Sequence, residues 1–283
     1  MEIGIHTDAF ASLYWGFEQC LEWARESDLH WIECGAIDGV SWIHGLGYYP
    51  HIALWEDPVM LRRKMERHGV RLTQLDAAFP LSRPEGATIG ADYIIHVMQW
   101  AKLAGCSKID TTDDRDKPEG MTDREALDHM GAIYRRIVRV AEAYEITVNI
   151  EPHGYYTTKP EFLAEMLSFV DSPYLRLNMD IGNLFIAGQD PVAVTQRFLN
   201  KIDHVHLKDV SSSLVSVRGE VTGIAGSYCA IGEGVNADNV GRCVKLLAEH
   251  GYDGVLVVEC EGEPLIQRSL EWVRKLLADI GIT

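Results

Sequence analysis

The chain has 283 residues, 47% of them apolar, and 26 Lys and Arg against 42 Asp and Glu give a formal charge of −16. So acidic a surface repels phosphate backbones and anionic lipid heads, and no Lys/Arg cluster offsets it, which argues against a nucleic-acid or membrane partner. Length and apolar content allow one large barrel or two ordinary domains.

The six cysteines, Cys20, Cys34, Cys106, Cys229, Cys243 and Cys260, form no C-x-x-C pair and read as reduced thiols. The start, Met1-Glu-Ile-Gly-Ile-His6, lacks a basic region followed by an apolar one, and no run reaches membrane-spanning length. A soluble, cytoplasmic protein is expected.

Short apolar runs alternate with helical patterns throughout, as in βα units around a parallel sheet. The strands are predicted at Glu2–Thr7, His30–Cys34, Arg71–Ala77, Lys108–Thr112, Thr147–Glu151, Leu175–Asp180, Ile202–Lys208 and Val255–Glu259. Helical patterns follow near Gly16–Ser27, Pro58–His68, Asp92–Leu103, Asp123–Tyr144, Lys159–Val170, Pro191–Asn200, Asp238–His250 and Pro264–Ile280. Eight such repeats, with no Pro/Ser-rich linker and no G-x-G-x-x-G after the first strand, predict α/β architecture: a single (β/α)8 TIM barrel over residues 1–283.

Two βα connections are long. Gly35 to Asp57 carries Trp42, His44, Tyr48, Tyr49, His51 and Trp55, a set suited to stacking on a sugar, to folding the loop on itself or to packing against another subunit. Val210 to Asn236 carries Arg218, Glu220 and Gly232-Glu-Gly234, whose glycines do not form a P-loop and are read as part of a mobile cover.

The chemistry gathers in the second half. Strand side chains alternate, so His204 and His206 share a face, and Lys208 has the same parity. Glu151, Asp180 and Glu259 each end an apolar run, where a carboxylate is either exposed or compensated. On consecutive strands about 4.8 Å apart, Glu151, Asp180, His206 and Glu259 can converge on one divalent ion. Oxygen-rich ligands with one imidazole suit Mn2+, Mg2+ or Co2+, with Zn2+ also compatible. Singly, each acid could instead pair with a basic residue at the rim, and Asp180 could form an Asx turn in Asp-Ile-Gly-Asn183.

Two glutamates across a cation suit proton abstraction next to a carbonyl, one removing the proton and the other returning it to an enediolate. Glu151 and Glu259 are therefore the candidate catalytic residues, with Asp180 and His206 chiefly holding the metal. His153 could bind substrate or order its loop; Lys208 could stabilise an enolate oxygen or form a rim salt bridge. His6, Glu33, Asp76 and Asp110, near the ends of the first four strands, could bind substrate or fill the barrel.

Asn149-Ile-Glu-Pro-His153, Asn178-Met-Asp-Ile-Gly-Asn183, His204-Val-His-Leu-Lys-Asp209, Gly251-Tyr-Asp-Gly254 and Val257-Val-Glu259 resemble the xylose-isomerase-like TIM-barrel superfamily across essentially the whole chain. Its relatives include ketose 3-epimerases, hydroxypyruvate isomerase, inosose dehydratase and endonuclease IV. The resemblance implies one divalent ion, usually Mn2+ or similar, on the matching Glu, Asp, His and Glu, with both glutamates handling the proton. Asn183 stands where ketose epimerases carry a histidine; it can bind a substrate oxygen but cannot shuttle a proton. Arg218 lies farther along its loop than the epimerase arginine. The histidine missing at position 183 and the acidic charge speak against DNA repair. His-Leu-Lys-Asp resembles the inosose dehydratase branch.

The expected function is that of a metal-dependent isomerase or epimerase of a keto sugar. A lyase, either an inosose-type dehydratase or an eliminase on a 3-keto glycoside, is the same-centre alternative, and a non-catalytic sugar-binding or assembly subunit the third. A homo-oligomer or a partner subunit is compatible with the aromatic loop.

Overall fold

The structure, a computed structural model, describes residues 1–38, 50–224 and 227–282. Nine parallel strands are present among them: β1 (Glu2–His6), β2 (Trp31–Ile37), β3 (Ile52–Ala53), β4 (Arg71–Asp76), β5 (Lys108–Thr111), β6 (Thr147–Ile150), β7 (Leu175–Asp180), β8 (Ile202–Leu207) and β9 (Val255–Val258). They run in the order β1-β9-β8-β7-β6-β5-β4-β2, and β1 pairs with β2 to close an eight-stranded barrel. The predicted (β/α)8 architecture is the observed one. The short β3, which the sequence pattern did not show, pairs with β2 outside the ring.

Helices α1 (Phe17–Glu26), α2 (Pro58–His68), α3 (Ile89–Ala104), α4 (Asp123–Tyr144), α5 (Pro160–Met166), α6 (Ile181–Ile186), α7 (Pro191–Phe198), α8 (Ala237–Glu249) and α9 (Glu263–Asp279) surround it. Their ends follow local chemistry. Asp57 caps α2 with Pro58 in the first turn, and Thr122 and Glu125 form a capping box on α4. Gly69 and Gly105, with φ of 68° and 83°, stop α2 and α3 in the left-handed conformation that glycine tolerates.

Two boundaries differ from expectation. The pattern over Lys159–Val170 yields a helix only over Pro160–Met166, and the unforeseen α6 follows β7 directly because Asp180 caps it: Asn183 N donates to Asp180 Oδ1 at 2.7 Å. At six residues α6 is too short to show helical periodicity in sequence.

Apolar side chains of strands and helices form the core between sheet and helical ring, but the barrel interior is largely polar. Glu33, Gln74, Asn149, Asn178 and His204 are all fully buried there. Register shifts fall between Ile32 and Glu33 and between Leu177 and Asn178, immediately before two of these residues; such irregularities re-aim side chains.

Among the described residues, no helix is long and apolar enough to cross a membrane.

Candidate metal centre

Parallel strands place consecutive C-terminal ends side by side, and four of them carry the expected group. Asp180, last residue of β7, pairs in register with His206 of β8; Glu151 and Glu259 directly follow β6 and β9. His206 stands at the centre. Its Nδ1 lies 3.2 Å from Glu151 Oε1, 3.3 Å from Glu259 Oε1 and 3.9 Å from Asp180 Oδ2. Donor atoms of Glu151, Asp180 and His206 all fall within 4.8 Å of one another.

Glu259 is drawn to the side by Lys208, whose Nζ lies 2.6 Å from Glu259 Oε2 and 3.0 Å from Asp180 Oδ2. Glu259 Oε2 is buried, and the Lys208 ammonium is its charged partner. Lys208 also donates to the Ile224 carbonyl at 3.0 Å and reaches Asn183 Oδ1 at 3.4 Å. Its stem runs against Gly182, where any Cβ would stand 2.6 Å from Lys208 Cβ; the glycine in Asp-Ile-Gly-Asn183 makes room for the lysine.

The other side of His206 is occupied by Glu33, with Nε2 3.0 Å from Glu33 Oε2. Glu33, His204 and His206 form a second group whose donor atoms lie within 4.8 Å. His204 is already engaged, however: Nδ1 meets Asn178 Oδ1 at 3.1 Å and Nε2 meets Thr73 Oγ1 at 3.2 Å. Burial holds its pKa down to about 3, so it is a neutral packing residue.

The carboxylates are coupled to these bases. Burial alone would raise Glu151, but hydrogen bonds and charge from His153 and His206 hold it well below the ordinary value. Burial pushes Asp180 up to about 6, Lys208 opposing and the charges of Glu259 and Glu151 adding to the rise. For His206 burial works downward, and Glu259, Glu33 and Glu151 outweigh it, raising the imidazole well above its usual range.

Glu33, Glu151, Asp180 and Glu259 against one ammonium and one imidazolium leave four negative charges facing two positive, a net −2 in a buried site. A divalent cation would offset this negative charge while displacing the proton from His206 Nδ1, and the oxygen-rich donors with one imidazole suit it chemically.

The remaining candidates are placed as follows. His153 Nδ1 lies 3.7 Å from Glu151 Oε2, so the histidine backs a proposed catalytic carboxylate. Asn183 links elements: its Oδ1 accepts from Ile224 N at 3.0 Å, and its Nδ2 lies 3.4 Å from His153 Nδ1. His6 is buried, accepts from Asp8 N at 3.2 Å and meets the His206 ring edge-on at 6.1 Å.

Arg218 takes its partners outside the cluster. It is exposed and turned onto α6, with Nε donating to Phe185 O at 3.0 Å, Nη2 to Gln189 O at 3.2 Å and the guanidinium stacked 4.3 Å from the Phe185 ring centroid. The Phe185 carbonyl, in the last turn of α6, and the Gln189 carbonyl, just beyond it, take this cation, and neither was visible without α6 itself. Of the aromatic loop, Trp42, His44, Tyr48 and Tyr49 lie outside the described residues, His51 is buried, with Nε2 3.0 Å from Asp8 Oδ1, and Trp55 is 69% exposed. In the second long loop, Gly232 N, Gly234 N and Asn236 N all donate to the Asp209 carboxylate, which tethers that stretch.

The family profile of the xylose isomerase-like TIM barrel matches residues 21–276. The chain belongs to this family. The xylose isomerase-like barrels form a superfamily of sugar isomerases and epimerases. One curated relative, the inosose dehydratase of Clostridium botulinum (strain Alaska E43 / Type E3), is 34% identical over 128 residues, or 43% of this chain and 42% of that protein. The chain thus spans less than half the length of that relative. Among solved structures, a D-tagatose 3-epimerase-like protein superposes with a TM-score of 0.78 at 21% identity, covering 99% of this chain and 98% of that one. The IolI protein with a bound zinc atom gives 0.73 at 15% identity, again covering 99% and 98%. At these identities the structural matches speak to the shared fold.

Proposed function

We propose that this xylose isomerase-like barrel is a divalent-metal-dependent enzyme that removes a proton next to the carbonyl of a keto sugar or keto-polyol. One observation carries the reading: Glu151 and Glu259 approach the same imidazole nitrogen, at 3.2 and 3.3 Å, in a buried site with an uncompensated charge of −2. Glu151, Asp180, His206 and Glu259 would hold the cation. When bound, Mn2+ or a similar ion polarises the substrate carbonyl and stabilises negative charge developing on its oxygen.

The chain's own groups divide the remaining work. Glu151, kept ionised by His153 and His206, takes the proton. Glu259, which meets the same ring nitrogen as Glu151, would take up a solvent proton and deliver it to the opposite face of that carbon, giving the epimer; return of the Glu151 proton to the neighbouring carbon, with a proton exchanged between the two oxygens, would give the isomer. Lys208 keeps Asp180 and Glu259 in place and supplies positive charge beside the oxygen that becomes an enolate.

A second reading is a lyase, in which the same carbanion expels a leaving group from the neighbouring carbon. The match to inosose dehydratase favours it, as does Asn183, which offers no second proton shuttle.

The test is turnover of a panel of ketoses and inososes in D2O with Mn2+. Isomeric product carrying solvent deuterium supports the isomerase; loss of water supports the dehydratase. Glu151→Gln and Glu259→Gln are each expected to lower kcat about 10^2–10^4-fold. Parent-like turnover by both would remove the assigned roles.

A further inference from the structure

We propose that Glu33 is a positioning residue that keeps the proton of His206 on Nε2, so that Nδ1 is the nitrogen offered to a cation. The inference rests on the metal-centre reading above and adds to it a residue from the opposite side of the barrel.

Glu33 is fully buried on β2, so its carboxylate needs proton donors. Oε1 accepts from Gln74 Nε2 at 2.9 Å. Gln74 is held in that orientation because its own Oε1 accepts from Asn149 Nδ2 at 2.6 Å.

For Oε2 two imidazoles are near: His206 Nε2 at 3.0 Å and His204 Nε2 at 3.5 Å. His204 donates from Nδ1 to Asn178 Oδ1, so its Nε2 carries a lone pair that accepts from Thr73 Oγ1. Only His206 can therefore give Oε2 a proton from a ring. Asn178 Nδ2, 3.3 and 3.1 Å from the two ring nitrogens of His206, is nearly equidistant and selects neither. With Nε2–H committed to Glu33, Nδ1 faces Glu151, Glu259 and Asp180. A ligating histidine whose other N–H is held by a carboxylate is fixed in ring orientation as well as in tautomer.

Glu33→Gln is a near-isosteric test because the network dictates how the amide sits. Gln74 still needs an acceptor, so the new amide oxygen faces Gln74 and its NH2 faces His206 Nε2. That demands a lone pair on Nε2 and moves the proton to Nδ1, away from the ligating state.

The experiment titrates Co2+ into the full-length parent and variant, following the visible spectrum and calorimetry, and melts both without metal. The expected result is a Co2+ affinity weaker by about 10–100-fold with altered ligand-field bands. The metal-free melting temperature should fall, since the buried imidazole loses a charged partner; the ligand-field bands at saturating Co2+ are the readout that lost stability alone does not move. Unchanged Co2+ affinity and spectrum in the variant overturn the inference. Should Glu33→Gln fail to fold, Glu33→Asp, which withdraws the carboxylate by one methylene, decides instead: a loss of about tenfold or more supports the role, and parent affinity overturns it. A parent that binds no Co2+ removes the metal reading along with it, whereas a binding parent with an indifferent variant removes only Glu33.

Discussion

Replacing Lys208 by methionine isolates the charge that the metal-free site depends on. Methionine keeps most of the stem volume packed on Gly182 and deletes only the ammonium, which stands 3.0 Å from Asp180 Oδ2 and 2.6 Å from Glu259 Oε2. The lysine side chain is 2% exposed, so water cannot replace it cheaply. Removing one partner of a buried pair costs about 3–5 kcal/mol, because the remaining carboxylates are left desolvated and uncompensated. For a chain of this size, with each kcal/mol worth roughly 2–4 °C, the metal-free melting temperature should fall by about 6–20 °C. The site charge moves from −2 to −3, so Mn2+ should recover more stability in Lys208→Met than it adds to the parent. The assay is thermal unfolding by circular dichroism at pH 7.5, after chelation and again with Mn2+. A variant that melts within about 2 °C of the chelated parent refutes the charge balance drawn from the structure.

Asp76 offers a pH test with a defined sign. Burial raises its carboxyl to about 7, and the pull of His6 is outweighed by Glu151, Asp8 and Glu33. A folded pKa above the ordinary 3.8 means that the stability contributed by the protonated form is full below about pH 4 and is lost as pH rises through about 7. Asp76→Asn keeps an acceptor for Ala78 N and does not titrate, so its stability advantage in urea unfolding without metal should widen from pH 5 to pH 8; a constant gap contradicts the shift. Arg218→Ala tests this placement: kcat/KM should stay within about twofold, while stability falls by roughly 0.5–1.5 kcal/mol as the Phe185 and Gln189 carbonyls lose their donor. A loss of activity beyond tenfold would return Arg218 to the substrate site.

Much of this was legible in the chain because it is carried by short-range periodicity. An acid closing an apolar run occurs at Glu151, Asp180 and Glu259, and period two places His204, His206 and Lys208 on one face, so the strand-end cluster follows once eight βα repeats are counted. The turn reading of Asp180 is the one seen, with Oδ1 capping α6, and it leaves Oδ2 beside Lys208 and His206, where the proposed cation would need it. The fate of Arg218 was not legible, since its partners are carbonyls in and just after a six-residue helix with no periodic signature.

By itself, then, the sequence determined the repeat, the strand ends and the chemical types gathered there, because each depends on a window of a few residues. Tertiary structure alone decided which partner each group takes. Glu33 sits 173 positions from His206 and reaches it only because β1 pairs with β2, a strand register shifts before Glu33, and side chains from opposite walls meet in a closed interior. Contacts across a barrel are set by closure and stagger, which no local stretch of chain encodes.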